Sequence, residues 1–550
     1  MSEDASSYPP IEPSNFDLIV LGTGLPESMI AAATSANNKT VLHLDPNPFY
    51  GSHYASLSLP DLSTFLNSHS TPPPPPPFTP SDGHDYTPLP LTPRPLYSHV
   101  EISSYAPEVL DEHSRKFNID LCGPRVLFCA DKSIDLILKS GANQYIDFKS
   151  IDASFVCDEN GRLKNVPDSR AAIFKDKSLG LTEKNQLMRF FKLVQQHLAA
   201  ESDDNERISE EDLESPFVEF LKKMRLPPKI KSIILYAIAL ADYDQDNVEV
   251  CEDELKTKDG IDRLALYNSS VGRFPNALGA FIYPIYGHGE LPQAFCRRAA
   301  VKGCIHVLRM PVIALLMDKC TGHYKGVRLS SGQDLFSHQL ILDPSFIVPL
   351  PLASSPPDSL RENLQILGLG DVKRKVARGV CITRRSLRPD TSNFLVVYPP
   401  RSLYPEQVTS IRALQIGSEL AVCPSGMFVL YFSTLCHDAT QGKKSLNAAM
   451  DSLLTLPESA HPESSTIVHS ENSAEVKPTL LWKALYIQEL TMDQFETISS
   501  TPMPDGNLNY NNMLDVALKL FQKIHRHEEV FPETVSPENP EDDIEFSLES

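Results

Sequence analysis

Two short apolar runs, residues 18–21 and 41–44, bracket a helix-forming stretch at residues 28–35. Gly22-Thr-Gly24 joins the first run to the helix and Asp45 ends the second run. This pattern predicts a βαβ unit whose first turn has a dinucleotide-type fingerprint, with an acid where a ribose is usually held. The third glycine of that fingerprint is replaced by Glu27, and Pro26 sits beside it. Glycines in such a turn let a pyrophosphate approach the backbone, and N–H groups at the helix start hold it. A carboxylate there repels phosphate, and proline removes a donor. The expectation is a retained scaffold and a lost cofactor, with no flavin or nicotinamide bound.

Beyond Asp45, residues 46–51 read as a turn that presents Phe49 and Tyr50. Six prolines, 72–77, lie in a segment of about residues 71–95 rich in Pro, Ser and Thr. Such a run favours polyproline II, so it reads as an exposed spacer that cannot join a sheet; an SH3 or WW ligand is the second reading. Residues 111–228 read as mostly helical, with apolar spacing at Ile134, Leu136, Ile137 and Leu138 and again through 187–194. An acidic patch, 201–214, reads as a solvated loop, and Pro227-Pro228 marks a boundary before an apolar helix over 229–241. A strand and tight loop follow within 273–289, then a helix over 290–300. Runs at 381–383, 394–398 and 427–432 have strand character and are expected to complete a sheet. The organisation so predicted is a large α/β domain in two parts, 1–110 and 229–530, a helical domain at 111–228, and an acidic tail at 531–550.

The net charge of −21 argues against nucleic acid and favours basic protein segments as partners. No apolar run approaches the ~20 residues needed to cross a bilayer. The polar, acidic N-terminus reads as neither a signal nor a transit peptide, and the final residues offer no cysteine for prenylation. Ten cysteines occur without a C-x-x-C pair, which argues against zinc and for reduced cytosolic thiols; Cys122 and Cys129 read as core. His43, His53, His288 and His306 show no metal-ligand spacing and read as structural.

The broken fingerprint with Asn47-Pro-Phe-Tyr-Gly51, Tyr145-Ile-Asp-Phe-Lys149, Tyr283-Pro-Ile-Tyr-Gly-His-Gly-Glu-Leu-Pro-Gln293 and Lys477-Pro-Thr-Leu-Leu-Trp482 together resemble the superfamily of Rab GDP-dissociation inhibitors and Rab escort proteins. The resemblance implies a large domain related to FAD-dependent monooxygenases, degenerate and Rossmann-type, with a smaller all-helical domain inserted. It implies no catalysis and no cofactor. The implied partners are GDP-form Rab GTPases, the Rab geranylgeranyl transferase heterodimer through its α subunit, the geranylgeranyl lipid and, transiently, a membrane.

Within the superfamily the escort branch fits better. That branch carries a phenylalanine that docks the transferase α subunit, and Phe174 matches it. An arginine eleven residues on is replaced here by Asn185, a departure that weakens the electrostatic pull; the two share a helical face only if Gly180 does not break the helix. Tyr50, Glu290 and Arg297 are the expected Rab contacts, against plain roles in loop packing and a solvated pair. Leu187, Phe190, Phe191 and Val194 are the candidate lipid pocket, and a helix-bundle core explains them equally. A recycling inhibitor without transferase binding and a flavin-dependent oxidoreductase are the competing functions.

Overall fold

The computed structural model describes residues 9–71, 85–158, 161–167, 180–199, 207–277, 279–347, 375–457, 477–491 and 498–532. The expected βαβ unit forms: strand Asn15–Leu21, helix Leu25–Ala36 and strand Val41–Asp45. Both strands are almost wholly buried, which is why they read as continuous apolar runs rather than alternating ones. They lie in the first sheet between Ile305–Leu308 on one side and Asp334–Leu342 on the other, all parallel. Strand Ile498–Ser500 also joins Asp334–Leu342 in parallel. Tyr324–Leu329, Val312–Asp318 and Tyr86–Pro90 then extend the sheet antiparallel. Helices Leu25–Ala36, Glu290–Val301 and Asn511–Ile524 share one apolar core beneath its parallel half.

The three later runs of strand character belong to a second sheet. Its order is Leu163–Asn165, Ala153–Cys157, Phe394–Tyr398, Ile411–Gly417, Phe428–Cys436, Lys375–Thr383, Leu480–Glu489 and Tyr97–Ser104. Helix Ala439–Leu453 packs on one face of it. Two fully buried arginines tie this sheet to the loops beside it. Arg378 donates to the carbonyls of Cys122, Gly123 and Asp505, and Arg125 to those of Asn509 and Asp505. Arg125 also pairs with the Asp505 carboxylate, so its charge is compensated where it is buried.

Three sequence expectations are corrected. Residues 111–228 are not mostly helical: Phe148–Ser150, Ala153–Cys157 and Leu163–Asn165 are strands, and the helical layer runs from Leu181–Leu198 to Thr257–Ser270. The apolar helix expected at 229–241 is a short α-helix, Pro228–Ser232, followed by a π-helical turn, Ile233–Ile238. Part of the acidic patch is also helix, Glu210–Glu214, because Ser209 accepts from the Asp212 N–H and acids suit a helix start.

The spacer expected over 71–95 does join a sheet at its end. Tyr86–Pro90 pairs with Val312–Asp318, and Thr92–Pro93 with Phe346–Ile347. Tyr86–Pro90 is an edge strand, the place where prolines such as Pro88 and Pro90 are tolerated. Residues 72–84 and the tail from 533 lie outside the described residues.

Candidate functional site

Helix Leu25–Ala36 starts directly from the Gly22-Thr-Gly24 turn, so its N-terminus faces the crevice at the ends of the parallel strands. Gly22 has φ +88° and lies against Asp343, where a Cβ would come within 2.6 Å of that side chain. The Glu27 side chain folds back over Gly24 and fills the space a phosphate would use. It is 1% exposed, accepts from the Thr501 hydroxyl, and its Oε2 has no hydrogen-bond partner. Burial, reinforced by Asp343, raises the Glu27 pKa well above the carboxylate range.

Asp45 stands where the ribose acid belongs, but the chain's own donors saturate it. The Thr23 N–H and hydroxyl and the Ser52 hydroxyl all reach Oδ2, at 2.8, 2.6 and 2.9 Å, and the Asn47 N–H reaches Oδ1 at 2.8 Å. Burial pushes this carboxyl up to about 6 against those hydrogen bonds. Burial also raises Asp343, but His53, 3.3 Å away, and Ser345 outweigh it and bring the carboxyl down to about 2. Three buried acids converge where an FAD pyrophosphate and ribose would lie. The residues present do not fit that cofactor.

Of the expected contact residues, Tyr50 is half-buried, its ring edge-on to His306 with centroids 6.1 Å apart. Glu290 opens the helix Glu290–Val301, and Arg297, two turns on, is exposed with its guanidinium 5.9 Å from the Tyr145 ring. Burial raises Glu290 against the pull of Arg297 and a hydrogen bond from Gln293.

A further aromatic escaped the sequence reading. Tyr286 is 57% exposed and holds φ +72°, a conformation uncommon for a bulky residue. The turn that presents it is fixed by Asp120, which accepts from Ser56, the Tyr283 hydroxyl and the His288 N–H. Gly287, at φ +99°, lets that turn close: a Cβ there would meet Ser56 Oγ at 2.6 Å and Asp120 Oδ1 at 2.7 Å. The signal was present in Tyr283-Pro-Ile-Tyr-Gly-His-Gly, whose glycines mark a turn with an aromatic at its tip.

Phe174 lies outside the described residues. Asn185 is exposed on helix Leu181–Leu198. Gly180 is the N-cap of that helix, with extended backbone, so the helix starts after it. Leu187, Phe190 and Val194 are buried in the helical core, Phe190 against Phe191 and Phe220, and Phe191 is half-buried.

The fold also gathers groups that sequence spacing kept apart. One ligand atom each of His43, Cys296 and His306 lies within 4.8 Å of the other two.

The family model for GDP dissociation inhibitors matches residues 12–86 and 82–473. The chain belongs to the GDP dissociation inhibitor family. It is 63% identical over 545 residues to Rab escort protein 1 of Arabidopsis thaliana, covering 97% of each chain. It is 25% identical over 659 residues to the Rab proteins geranylgeranyltransferase component A 1 of Homo sapiens, covering 97% of this chain and 93% of that one. Among solved structures it resembles a Rab GDI from Plasmodium falciparum, with TM-score 0.66 at 18% identity, covering 94% of this chain and 99% of that one. An oxidoreductase from Methanosarcina mazei shares the fold at TM-score 0.52 and 10% identity, covering 92% and 99%. The degenerate Rossmann-type fold expected from the sequence is therefore the fold of this GDP dissociation inhibitor family member, and the filled crevice separates its site from a dinucleotide enzyme's.

Proposed function

We propose that this chain is a non-catalytic escort: it binds GDP-form Rab GTPases, presents them to the Rab geranylgeranyl transferase through that enzyme's α subunit, shields the new lipid and delivers the Rab to a membrane. The observation that carries this reading is the end-to-end likeness to a Rab escort protein, 63% identical over 97% of both chains. The chain then works in the cytosol with brief membrane contact.

The energetics require two kinds of contact. A geranylgeranyl group of about twenty carbons prefers an apolar medium by roughly 0.8 kcal/mol per buried CH₂. A carrier that matched only this would barely compete with a bilayer, so additional affinity must come from a protein face. Tyr50, Tyr286, Glu290 and Arg297 are the residues assigned to that face, since presented aromatics and arginines dominate such contacts. The net charge of −21 favours encounter with Lys-rich GTPase tails, mainly through the association rate.

A recycling inhibitor would bind Rab without the transferase. The deciding experiment is transferase affinity for the wild-type chain and for Phe174→Ala. Submicromolar binding that Phe174→Ala weakens by about 2 kcal/mol, with Rab binding intact, supports the escort reading. Absence of transferase binding by the wild type supports the recycling one.

A further inference from the structure

His43 is fully buried at the centre of strand Val41–Asp45, yet only half of its imidazole is satisfied. Its Nε2 lies 2.6 Å from the Gly22 carbonyl, so Nε2 carries the proton and donates. Its Nδ1 is left as a lone pair with no partner. Leaving a buried acceptor unpaired costs free energy, and native interiors rarely do so without a purpose.

The groups it faces are soft ligands. Cys296, from helix Glu290–Val301, and His306, from the neighbouring parallel strand Ile305–Leu308, complete a set of ligand atoms that all lie within 4.8 Å of one another. The two imidazoles are tilted toward each other with centroids 5.0 Å apart. Cys304 stands beside them, its Sγ 3.9 Å from His306 Nε2. Both cysteines are buried free thiols.

We infer that His43, Cys296 and His306 form a three-donor binding site for a d¹⁰ divalent metal of the zinc type, with a solvent molecule as the fourth ligand. Zinc takes imidazole nitrogens at about 2.0 Å and a thiolate sulfur at about 2.3 Å in a tetrahedron, which puts these donors roughly 3.3–3.5 Å apart. Closing from the observed spacing requires shifts of about 1 Å per side chain or less, within rotamer adjustment. The outer contacts already match a metal site. A ligating histidine gives its second N–H to a carbonyl, as His43 does to Gly22, and this fixes which nitrogen faces the ion. The Ser28 hydroxyl lies 3.2 Å from Cys296 Sγ and donates to the Thr23 carbonyl, so without a metal the Cys296 thiol donates to Ser28.

Charge is consistent with this assignment. Burial keeps both imidazoles neutral, lowering His43 to about 3 and His306 to about 4, so both offer lone pairs at neutral pH. Without a metal, burial pushes Cys296 up to about 12. On binding, Cys296 gives its proton to solvent, and its thiolate offsets one of the two metal charges. Asp45 and Glu27 face Cys296 from the crevice side, and Tyr50 closes the half-buried edge over His306. The inference does not rest on Rab binding.

The test uses the purified full-length chain, stripped with a chelator and dialysed against zinc alone. Wild type should retain about one equivalent, and zinc should raise its melting temperature. His306→Gln, at the half-buried edge, and Cys296→Ser should each lose affinity by about tenfold or more, while Cys320→Ser, exposed and remote in the sequence, should not. Cobalt loaded in place of zinc should show a thiolate charge-transfer band that disappears in Cys296→Ser. Unfolding curves of metal-free wild type and His306→Gln that coincide exclude misfolding as the cause of loss. Zinc retained equally by both variants, no zinc retained by wild type, or a cobalt spectrum without the thiolate band overturns the site.

Discussion

The Thr23 hydroxyl donates to Asp45 Oδ2 at 2.6 Å, and this bond occupies the acid that a ribose would need. Ser52 and the Thr23 N–H take the same oxygen. The crevice is thus closed twice, by Glu27 over the phosphate position and by these donors over the ribose position. The purified chain should bind no FAD, and Glu27→Gly alone should not restore binding, because Asp45 stays saturated. Native mass spectrometry in the presence of FAD checks both, and stoichiometric flavin on either protein would contradict the account.

Glu27 also sets a pH dependence. Its folded pKa is raised by burial and by Asp343, so the folded state holds its proton more tightly than the unfolded chain. Its contribution to stability is complete below the unfolded carboxylate range and is lost as pH rises through the folded value. Asp45, raised to about 6, acts in the same direction, whereas Asp343, lowered to about 2, loses its contribution only in strong acid. Glu27→Gln keeps the shape and removes the titration. Its melting temperature should exceed that of wild type at pH 8, with the difference shrinking toward pH 5. A difference that does not change with pH would refute the assignment.

Rab affinity should rest on the four side chains assigned to it. Tyr50→Ala, Tyr286→Ala and Arg297→Ala should each weaken binding to GDP-loaded Rab by ~1–3 kcal/mol, read by titration calorimetry. Glu290→Ala should cost less, since the carboxyl is half-buried and bonded to Gln293. If all four variants bind like wild type, the GTPase sits elsewhere.

The segment after the proline run should behave as structure. Arg94 is buried, and its Nε donates to the Pro344 carbonyl at 2.7 Å. Arg94→Ala should cost about 1–3 kcal/mol, and deleting residues 85–95 should lower the melting temperature further, because the edge strand Tyr86–Pro90 is lost. Deleting residues 72–83 should leave it unchanged. Thermal melts of the three variants decide this, and equal melting of the two deletions would show the strand to be dispensable.

What could be read from the sequence followed from local pattern. The βαβ unit was legible because residues 18–21 are apolar throughout and residues 41–44 are apolar apart from His43, as buried parallel strands are. Glu27 was legible as an obstacle to a phosphate because one side chain at one position decides whether a phosphate fits. Partition between sheets was not legible: Phe394–Tyr398 and Phe428–Cys436 read as strands, but nothing local says which sheet they join. Tyr86–Pro90 was hidden by its prolines, which only an edge position allows. His43, Cys296 and His306 come from two neighbouring strands and one helix, so no spacing rule could have gathered them.

An escort presents Rab to its prenylating enzyme. The most direct measurement is a reconstituted reaction of GDP-loaded Rab, geranylgeranyl diphosphate and the Rab geranylgeranyl transferase, with lipid transfer followed by intact-protein mass. Transfer should depend on the added chain and fall sharply with Phe174→Ala while Rab binding persists. Equal transfer with and without the chain would contradict the account.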